Sequence, residues 1–319
     1  MYTTFLFGIL MVMLIKALAP MEGITDSVFR QILCDIGKPD LFFTEFLNVE
    51  GFCSKGRSNV EHRIKYTEKE HPIIVQLWGN NPAMYAETIA EIKKLDPDGI
   101  NINIGCSVHD VISGGRGSAL IKNKPLVKEI IDVVKESLEG TDIPVSVKTR
   151  LGFDEVDIEG WIGFLLEQDL DMIVIHGRLS KETYVIPANW KLIGECANLR
   201  NKMHSSTKIL GNGDLMDVDQ GEEYCKEYGL DGFMIGRGIL NNPWLFSKRK
   251  EIPREERIQT LFKHLTLFKE FWGDTKPFDC QKKYVKAYLR NFDDAGRLRQ
   301  ELLEAKSLEE MVLILKNNL

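Results

Sequence analysis

No two cysteines of this 319-residue chain stand as a CxxC pair. The six present (Cys34, Cys53, Cys106, Cys196, Cys225 and Cys280) are scattered, which argues against a zinc site or a redox dithiol. Reduced thiols in a cytoplasmic protein are the simple reading, with no metal. No apolar strand runs into a GxGxxG turn, so a doubly wound dinucleotide fold lacks its signature. One apolar run, residues 5–15, is shorter than the roughly 20 residues that cross a bilayer, so no membrane span is expected. That run also lacks the basic start and small-residue cleavage site of a signal peptide. It reads as an added strand or helix, or as a non-native start before Met11 or Met13. The second is favoured, because the first strand follows at once. Positive charge is short as well: 41 Lys and Arg face 47 Asp and Glu, a net charge of -6. Spread evenly, that balance would suit no polyanion. It is uneven: residues 247–319 hold 16 Lys and Arg against 12 Asp and Glu, a net of +4, which leaves -10 on residues 1–246. A basic tail on an acidic body can still grip phosphates, because local potential governs contact.

What is present is a recurring pattern. Short apolar, β-branched runs fall at residues 14–19, 41–44, 73–77, 100–103, 145–149, 172–176, 209–212 and 232–235. Most are separated by stretches with helical periodicity, among them 26–36, 83–95, 126–138, 158–168 and 218–228. Alternating strand and helix predicts a parallel α/β fold. Eight such units over about 235 residues predict a closed (β/α)8 TIM barrel. The pattern then changes. Residues 258–271, 277–292, 294–305 and 307–317 read as amphipathic helices with no strand between them. Pro277 suits a first helical turn, and Ser307-Leu-Glu-Glu reads as a capping box. The chain therefore divides into an apolar extension (1–13), a barrel (14–246) and a C-terminal helical bundle domain (247–319).

In such barrels function gathers where the strands end. Here each strand ends in polar residues or glycine: Pro20-Met21-Glu22, Glu45, Gln76, Asn103 to Cys106, Lys148 to Arg150, His176 to Arg178, Asn212-Gly213-Asp214 and Gly236-Arg237-Gly238. Glycine-rich turns after strands seven and eight suit a phosphate. Gly213 and Gly236 would let the backbone approach it, Arg237 would supply fixed charge, and a helix beginning after Gly238 would aim N–H groups at it. Lys148 and His176 suit the N1/O2 edge of a flavin, Gln76 its N3/O4 edge, and the 19–21 backbone would pass under the ring. Taken alone, His176 reads as a satisfied buried histidine. Arg178 faces the substrate or forms a rim ion pair. Cys106 lies on the functional rim before a loop of small residues, unlike Cys34 and Cys196 in apolar helical contexts, and is the candidate catalytic residue.

These endings together resemble the tRNA-dihydrouridine synthases, bacterial type. The matching segments are APMEGITD (19–26), TEF (44–46), VQLWG (75–79), NIGC (103–106), GSALIKN (117–123), VKTRLGFD (147–154), IHGR (175–178), GNGD (211–214) and IGRGILNNPWLF (235–246). In the tail, KAYLRNF (286–292) and LRQELLEAKSLEEM (298–311) are similar to the family's RNA-binding helices. The resemblance spans residues 14–319. It implies FMN as cofactor, with NADPH or NADH as hydride donor, and a monomer acting on a D-loop uridine of tRNA. Pro20, Met21, Glu22, Gln76, Lys148, Asn212, Gly213, Asp214, Gly236 and Arg237 would hold FMN, with His176 beside the ring. Asn103 and Arg178 would contact the substrate. The C5–C6 bond of uridine would be reduced by hydride from flavin N5 to C6 and a proton from Cys106 to C5. A thiol with the ordinary pKa of about 8.5 is protonated at neutral pH, which suits a proton donor. The target base must leave its stack, at less cost in a loop than in a duplex. Ser107 departs from the family, which has proline there, and is expected to loosen the loop slightly. Two rivals remain: an FMN barrel reductase acting on a free pyrimidine or small enone, and a non-catalytic RNA binder on a decayed barrel. The second would have no reason to keep Gln76, Cys106, Lys148 and Arg237 together.

Overall fold

The computed structural model describes residues 13–319, and the apolar start expected for residues 1–12 lies outside them. Nine strands form one parallel sheet: β1 (Ile15–Leu18), β2 (Phe42–Phe43), β3 (Leu47–Asn48), β4 (Ile73–Trp78), β5 (Gly99–Ile104), β6 (Val145–Arg150), β7 (Met172–His176), β8 (Lys208–Asn212) and β9 (Gly232–Ile235). The spatial order is β1-β9-β8-β7-β6-β5-β4-β2, with β3 beside β4. An Ala17–Leu41 bridge joins the two ends, with Leu18 donating to the Leu41 carbonyl at 3.0 Å, and closes the barrel. All eight expected runs are strands; β3, a second short piece of the second barrel position, was not read from sequence.

The helices are α1 (Ser27–Ile36), α2 (Val49–Phe52), α3 (Pro82–Ile92), α4 (His109–Ser113), α5 (Lys124–Ser137), α6 (Gly163–Leu166), α7 (Trp190–Lys202), α8 (Val218–Tyr228) and α9 (Gly238–Asn241). Local chemistry starts several of them. The side chains of Asp26, Asn81, Asn123, Asn189 and Asp217 accept from N–H groups of the first turns of α1, α3, α5, α7 and α8. The stretch expected as one helix at 158–168 is instead a π turn (Ile158–Ile162) running into α6. Trp161 there is buried, its indole N–H on Thr149 Oγ1 at 3.0 Å.

Strand periodicity sorts the interior. Side chains two apart share a face, so Ile15, Ala17 and Ala19 of the first strand join Ile74, Met172, Val174, Leu210 and Met234 in a small inner core. Their odd neighbours (Leu18, Ile73, Val75, Ile173, Ile175) join the larger layer between strands and helices. Continuing the inner set toward the C-terminal ends reaches Gln76, Lys148, His176 and Asn212. These candidate site residues are thus the top layer of the barrel's own inward-facing rows.

The opposite end is tied differently. A carboxylate just before a strand accepts from the N–H opening, or just opening, the preceding strand. Asp40 takes Lys16 N at 3.0 Å, Asp98 takes Ile73 N at 2.7 Å, Asp171 takes Val145 N at 2.8 Å and Asp231 takes Ile209 N at 2.8 Å. These N–H groups have no ladder partner of their own, so each bond satisfies a donor that would otherwise be lost.

After the barrel come α10 (Arg254–Trp272), α11 (Lys282–Tyr288), α12 (Ala295–Glu304) and α13 (Leu308–Lys316). Pro277 caps a 3-10 turn, Phe278–Gln281, that leads into α11. Ser307 caps α13 through Glu310 N at 3.1 Å, but Glu310 reaches back to Lys306 N at 2.6 Å rather than to Ser307 N, so the expected capping box closes one residue early. The tail does not hang from a linker. Leu261, Leu265, Phe268, Tyr284, Tyr288 and Leu298 belong to the same apolar core as Phe29 and Trp244 of the barrel. Among the described residues no helix is long and apolar enough to cross a membrane.

Candidate active site at the barrel mouth

The strand ends surround a cleft of ≈ 390 Å³. Every residue proposed from sequence lines it: Pro20, Met21, Glu22, Gln76, Asn103, Cys106, Lys148, His176, Arg178, Asn212, Gly213, Asp214, Gly236 and Arg237. Sequence reasoning gave no role to Phe46, Arg150 and Tyr184, which also line it. Arg150 was within reach of the argument, because it is two residues from Lys148 and therefore on the same strand face.

A chain of amides crosses the floor. Asn101 Nδ2 donates to Ser146 Oγ at 2.8 Å, Gln76 Nε2 to Asn101 Oδ1 at 2.7 Å, and Asn103 Nδ2 to Gln76 Oε1 at 2.9 Å. The last member turns up into the loop of Cys106: Asn103 Oδ1 accepts from Gly105 N and Cys106 N, each at 3.0 Å. Asn103 therefore sets the backbone of Cys106. The network also uses part of the hydrogen-bonding capacity of Gln76, leaving one N–H and one lone pair for a ligand.

The loop is held from the far side too. Ser118 N and Oγ both donate to the Cys106 carbonyl at 2.9 Å, and Ser180 meets Ser118 at 2.6 Å. Gly117 has φ +58°, and a Cβ there would lie 2.6 Å from the Cys106 carbonyl oxygen, so only glycine fits. Buried Arg150 spans the loop, donating to the Gly105 carbonyl at 2.8 Å, the Leu179 carbonyl at 2.8 Å and Ser107 Oγ at 3.0 Å. This corrects the expectation that Ser107 loosens the loop. Its hydroxyl gives the loop a charge-assisted tie that a proline could not make.

The wall expected to face a phosphate is built from GNGD and GRG. Gly213 has φ +129°, and a Cβ there would stand 2.5 Å from Ala188 Cβ. At Gly236 a Cβ would meet nothing nearer than Ala19 Cβ at 3.7 Å and Met21 Sδ at 3.8 Å, so the protein's own packing does not demand that glycine. The space it leaves opens on the cleft. The helix expected after Gly238 is the four-residue α9, and Ile239 and Leu240 N–H already bond the Gly236 and Arg237 carbonyls. It is too short to supply the dipole that was expected.

Charge concentrates here. Asp214 takes Arg178 Nη2 at 2.5 Å, Ala188 N at 2.8 Å and Arg237 Nη2 at 3.1 Å. Burial works to raise its pKa, but Arg178, Ala188 N–H and Arg237 prevail and hold it below the ordinary carboxylate value. Arg237 also lies 4.0 Å from the Tyr184 ring. Arg178 has the rim ion pair that was the alternative to a substrate contact. It is buried, with Nε on the Ile186 carbonyl and Nη1 2.9 Å from His176 Nε2. Arginine can only donate, so His176 Nε2 accepts, and the ring's remaining donor is Nδ1–H. Burial, then the cations Lys148, Arg150, Arg178 and Arg237, push His176 down to about 2. Lys148 reaches Asn212 Oδ1 at 3.2 Å, and among the described residues no carboxylate pairs with it. Burial and Arg150 lower it to about 8. Glu22, at the edge, is clamped by Arg63 at 2.5–3.1 Å.

This is a cleft with a positive field, a lysine lacking a counter-ion, and a thiol on a fixed loop above an amide floor. It defines a (β/α)8 barrel enzyme with a cation-lined mouth. Residues 17–319 match the family model described as dihydrouridine synthase. A probable tRNA-dihydrouridine synthase of Staphylococcus aureus (strain Mu50) is 39% identical over 297 residues, covering 92% of this chain and 89% of that one. A probable tRNA-dihydrouridine synthase 2 of Bacillus subtilis (strain 168) is 38% identical over 302 residues, covering 93% and 92%. The chain belongs to the dihydrouridine synthase family of oxidoreductases. Among solved structures, morphinone reductase is similar with a TM-score of 0.51 at 11% identity, covering 73% of this chain and 84% of that one. A variant of NCR from Zymomonas mobilis also gives a TM-score of 0.51, at 14% identity, covering 75% and 88%. Both likenesses concern the barrel fold.

Proposed function

We propose that this chain reduces D-loop uridines of tRNA to dihydrouridine in the cytoplasm, with FMN in the cleft, NADPH or NADH as reductant and no metal. The carrying observation is the cation set around the cleft: Lys148, Arg150, Arg178 and Arg237 act on neutral His176, and among the described residues Asp214 pairs with Arg178 and Arg237 while no carboxylate pairs with Lys148. Such a site favours an anionic ligand. The open space at Gly236, the left-handed Gly213 turn and Arg237 suit its phosphate. Lys148 and the Nδ1–H of His176 suit the edge of a flavin ring where negative charge builds. When bound, FMN supplies the hydride that reaches C6 of the uracil ring.

The chain's own residues do the rest. Cys106 Sγ holds the proton that passes to C5. Asn103, Ser118 and Arg150 keep the Cys106 backbone in one place, so the thiol meets the base without reordering the loop. Arg150 and Tyr184 also line the cleft that would receive the base. The RNA's phosphates are met by α11 and its end, where Lys282, Lys286 and Arg290 recur every fourth residue. Lys286 there is exposed and has no ion-pair partner among the described residues.

The test is to incubate the protein with NADPH and unmodified tRNA, and to quantify dihydrouridine by nucleoside mass spectrometry. A gain of the mass of two hydrogens on a D-loop uridine is expected. A yellow, NADPH-reducible protein that leaves every tRNA unchanged would contradict the reading.

A further inference from the structure

The Met21–Thr25 turn, which delivers Met21 and Glu22 to the cleft, is gripped at successive backbone groups by side chains from three other elements. Glu45, just after β2, accepts from Gly23 N at 2.5 Å. Lys283 of α11 donates to the Gly23 carbonyl. Tyr284 of α11 donates to the Ile24 carbonyl at 2.5 Å. Arg30 of α1 donates to the Thr25 carbonyl at 2.6 Å and is itself locked on Glu70. Gly23 has φ +67°, so the turn is a defined left-handed one. The Tyr284 ring packs 5.1 Å from the Phe29 ring of α1, and Lys276 pairs with Asp26 at 3.4 Å, which fastens the tail to the same corner. Glu45 is 2% exposed, and neither cleft chemistry nor barrel packing otherwise calls for a carboxylate there.

We propose that Glu45, Lys283 and Tyr284 are positioning residues for the flavin: they brace the Met21–Thr25 turn from below and from the tail, so the helical tail is part of the cofactor seat as well as the RNA grip. The proposal rests on the reading that the cleft holds FMN. A turn with free N–H and carbonyl groups would bond water and sample other conformations. Each brace removes one such alternative before the ligand arrives, which lowers the cost of binding. Burial, with Asp26 and Glu22 nearby, pushes Glu45 up to about 7, and either protonation state leaves an oxygen to accept from Gly23 N. What matters at this position is therefore the acceptor rather than the charge.

The test uses the full-length apoprotein, with FMN affinity read by quenching of flavin fluorescence and amide exchange read over residues 19–26. Tyr284→Phe keeps the ring and removes one hydrogen bond. It is expected to weaken FMN by up to about tenfold and to speed exchange in the turn. Glu45→Ala should behave likewise, and Glu45→Gln, which retains an acceptor, should restore both readings. Lys306→Ala, an exposed tail change away from this corner, should move neither. Unchanged exchange and unchanged FMN affinity in both Tyr284→Phe and Glu45→Ala would overturn the proposal. A wild-type protein that binds no FMN would instead sink the reading of the cleft, and exchange in the turn would still judge the brace.

Discussion

At the N-terminal end of the barrel, Asp40, Asp98, Asp171 and Asp231 each close on a backbone N–H of a neighbouring strand. At the C-terminal end, Lys148, Arg150, Arg178 and Arg237 crowd around a cleft in which Asp214 is the carboxylate that binds two of them. One end spends anions on donors the fold itself leaves open. The other end gathers cations beyond what its own anions balance. The same eight strands thus carry a rim whose electrostatics are complete without a ligand and a rim whose electrostatics are not. Changes at the first should cost stability and leave the chemistry of folded molecules alone. Changes at the second should cost binding or turnover and leave stability nearly unchanged.

The largest separation is expected at Cys106. Cys106→Ala should lower dihydrouridine formation by about 10²–10⁴-fold, the range of a lost general acid. FMN retention, tRNA affinity and melting temperature should stay near those of the parent, and turnover equal to the parent's would remove the proton-donor role. Next comes Lys148→Met, which deletes a charged donor. FMN affinity measured by fluorescence titration should fall about 10–150-fold.

The same lysine makes the contrast pH-dependent. Its pKa near 8 in the folded apoprotein lies below its ordinary 10.5. Between those values the unfolded chain binds more protons than the folded one, so this group favours folding as pH rises. Anion binding needs the charged form and should weaken over the same rise. FMN affinity falling above pH 8 in the parent, but flat in Lys148→Met, is the expected pair of curves. A parallel fall in both would assign the pH effect elsewhere.

On the opposite rim, Asp231→Ala strands Ile209 N–H and loses the Arg200 pair. A loss of about 1–3 kcal/mol is expected, seen as a melting temperature several degrees lower, with kcat per folded molecule unchanged. The smallest effect belongs to Ser107→Ala, which frees one Arg150 N–H. Turnover should fall by up to about tenfold while FMN affinity holds, and a drop in FMN affinity instead would mean that Arg150 serves the cofactor rather than the loop.

The cation-lined rim of this contrast was legible in the sequence, and the carboxylate-tied rim was not. Strand spacing pointed to the barrel, and the polar strand ends pointed to its working face. The details that escaped were those that depend on pairing across strands. Nothing in the run 101–106 says that Asn103 will turn its oxygen onto Cys106 N while its amide holds Gln76; that needs the register of β4 against β5. Arg178 read equally as a substrate contact or a rim ion pair until Asp214, 36 residues on, was placed beside it. Ser107 looked like a loosened proline because its partner, Arg150, ends a different strand. The helix after Gly238 was expected to aim N–H groups at a phosphate, but it is four residues long and Ile239 and Leu240 N–H turn back to the preceding carbonyls. For Asn103, Arg178 and Ser107 sequence named the residue, and the neighbouring strand decided what it does.

The most direct test of the account is an anaerobic titration. Holoprotein reduced with NADPH is freed of excess nucleotide and mixed with unmodified tRNA or with free uridine, while flavin absorbance is followed. The account predicts that tRNA reoxidises the flavin, with one dihydrouridine formed for each flavin, and that free uridine does not. Reoxidation by free uridine as fast as by tRNA would contradict it and would make this barrel a small-molecule reductase.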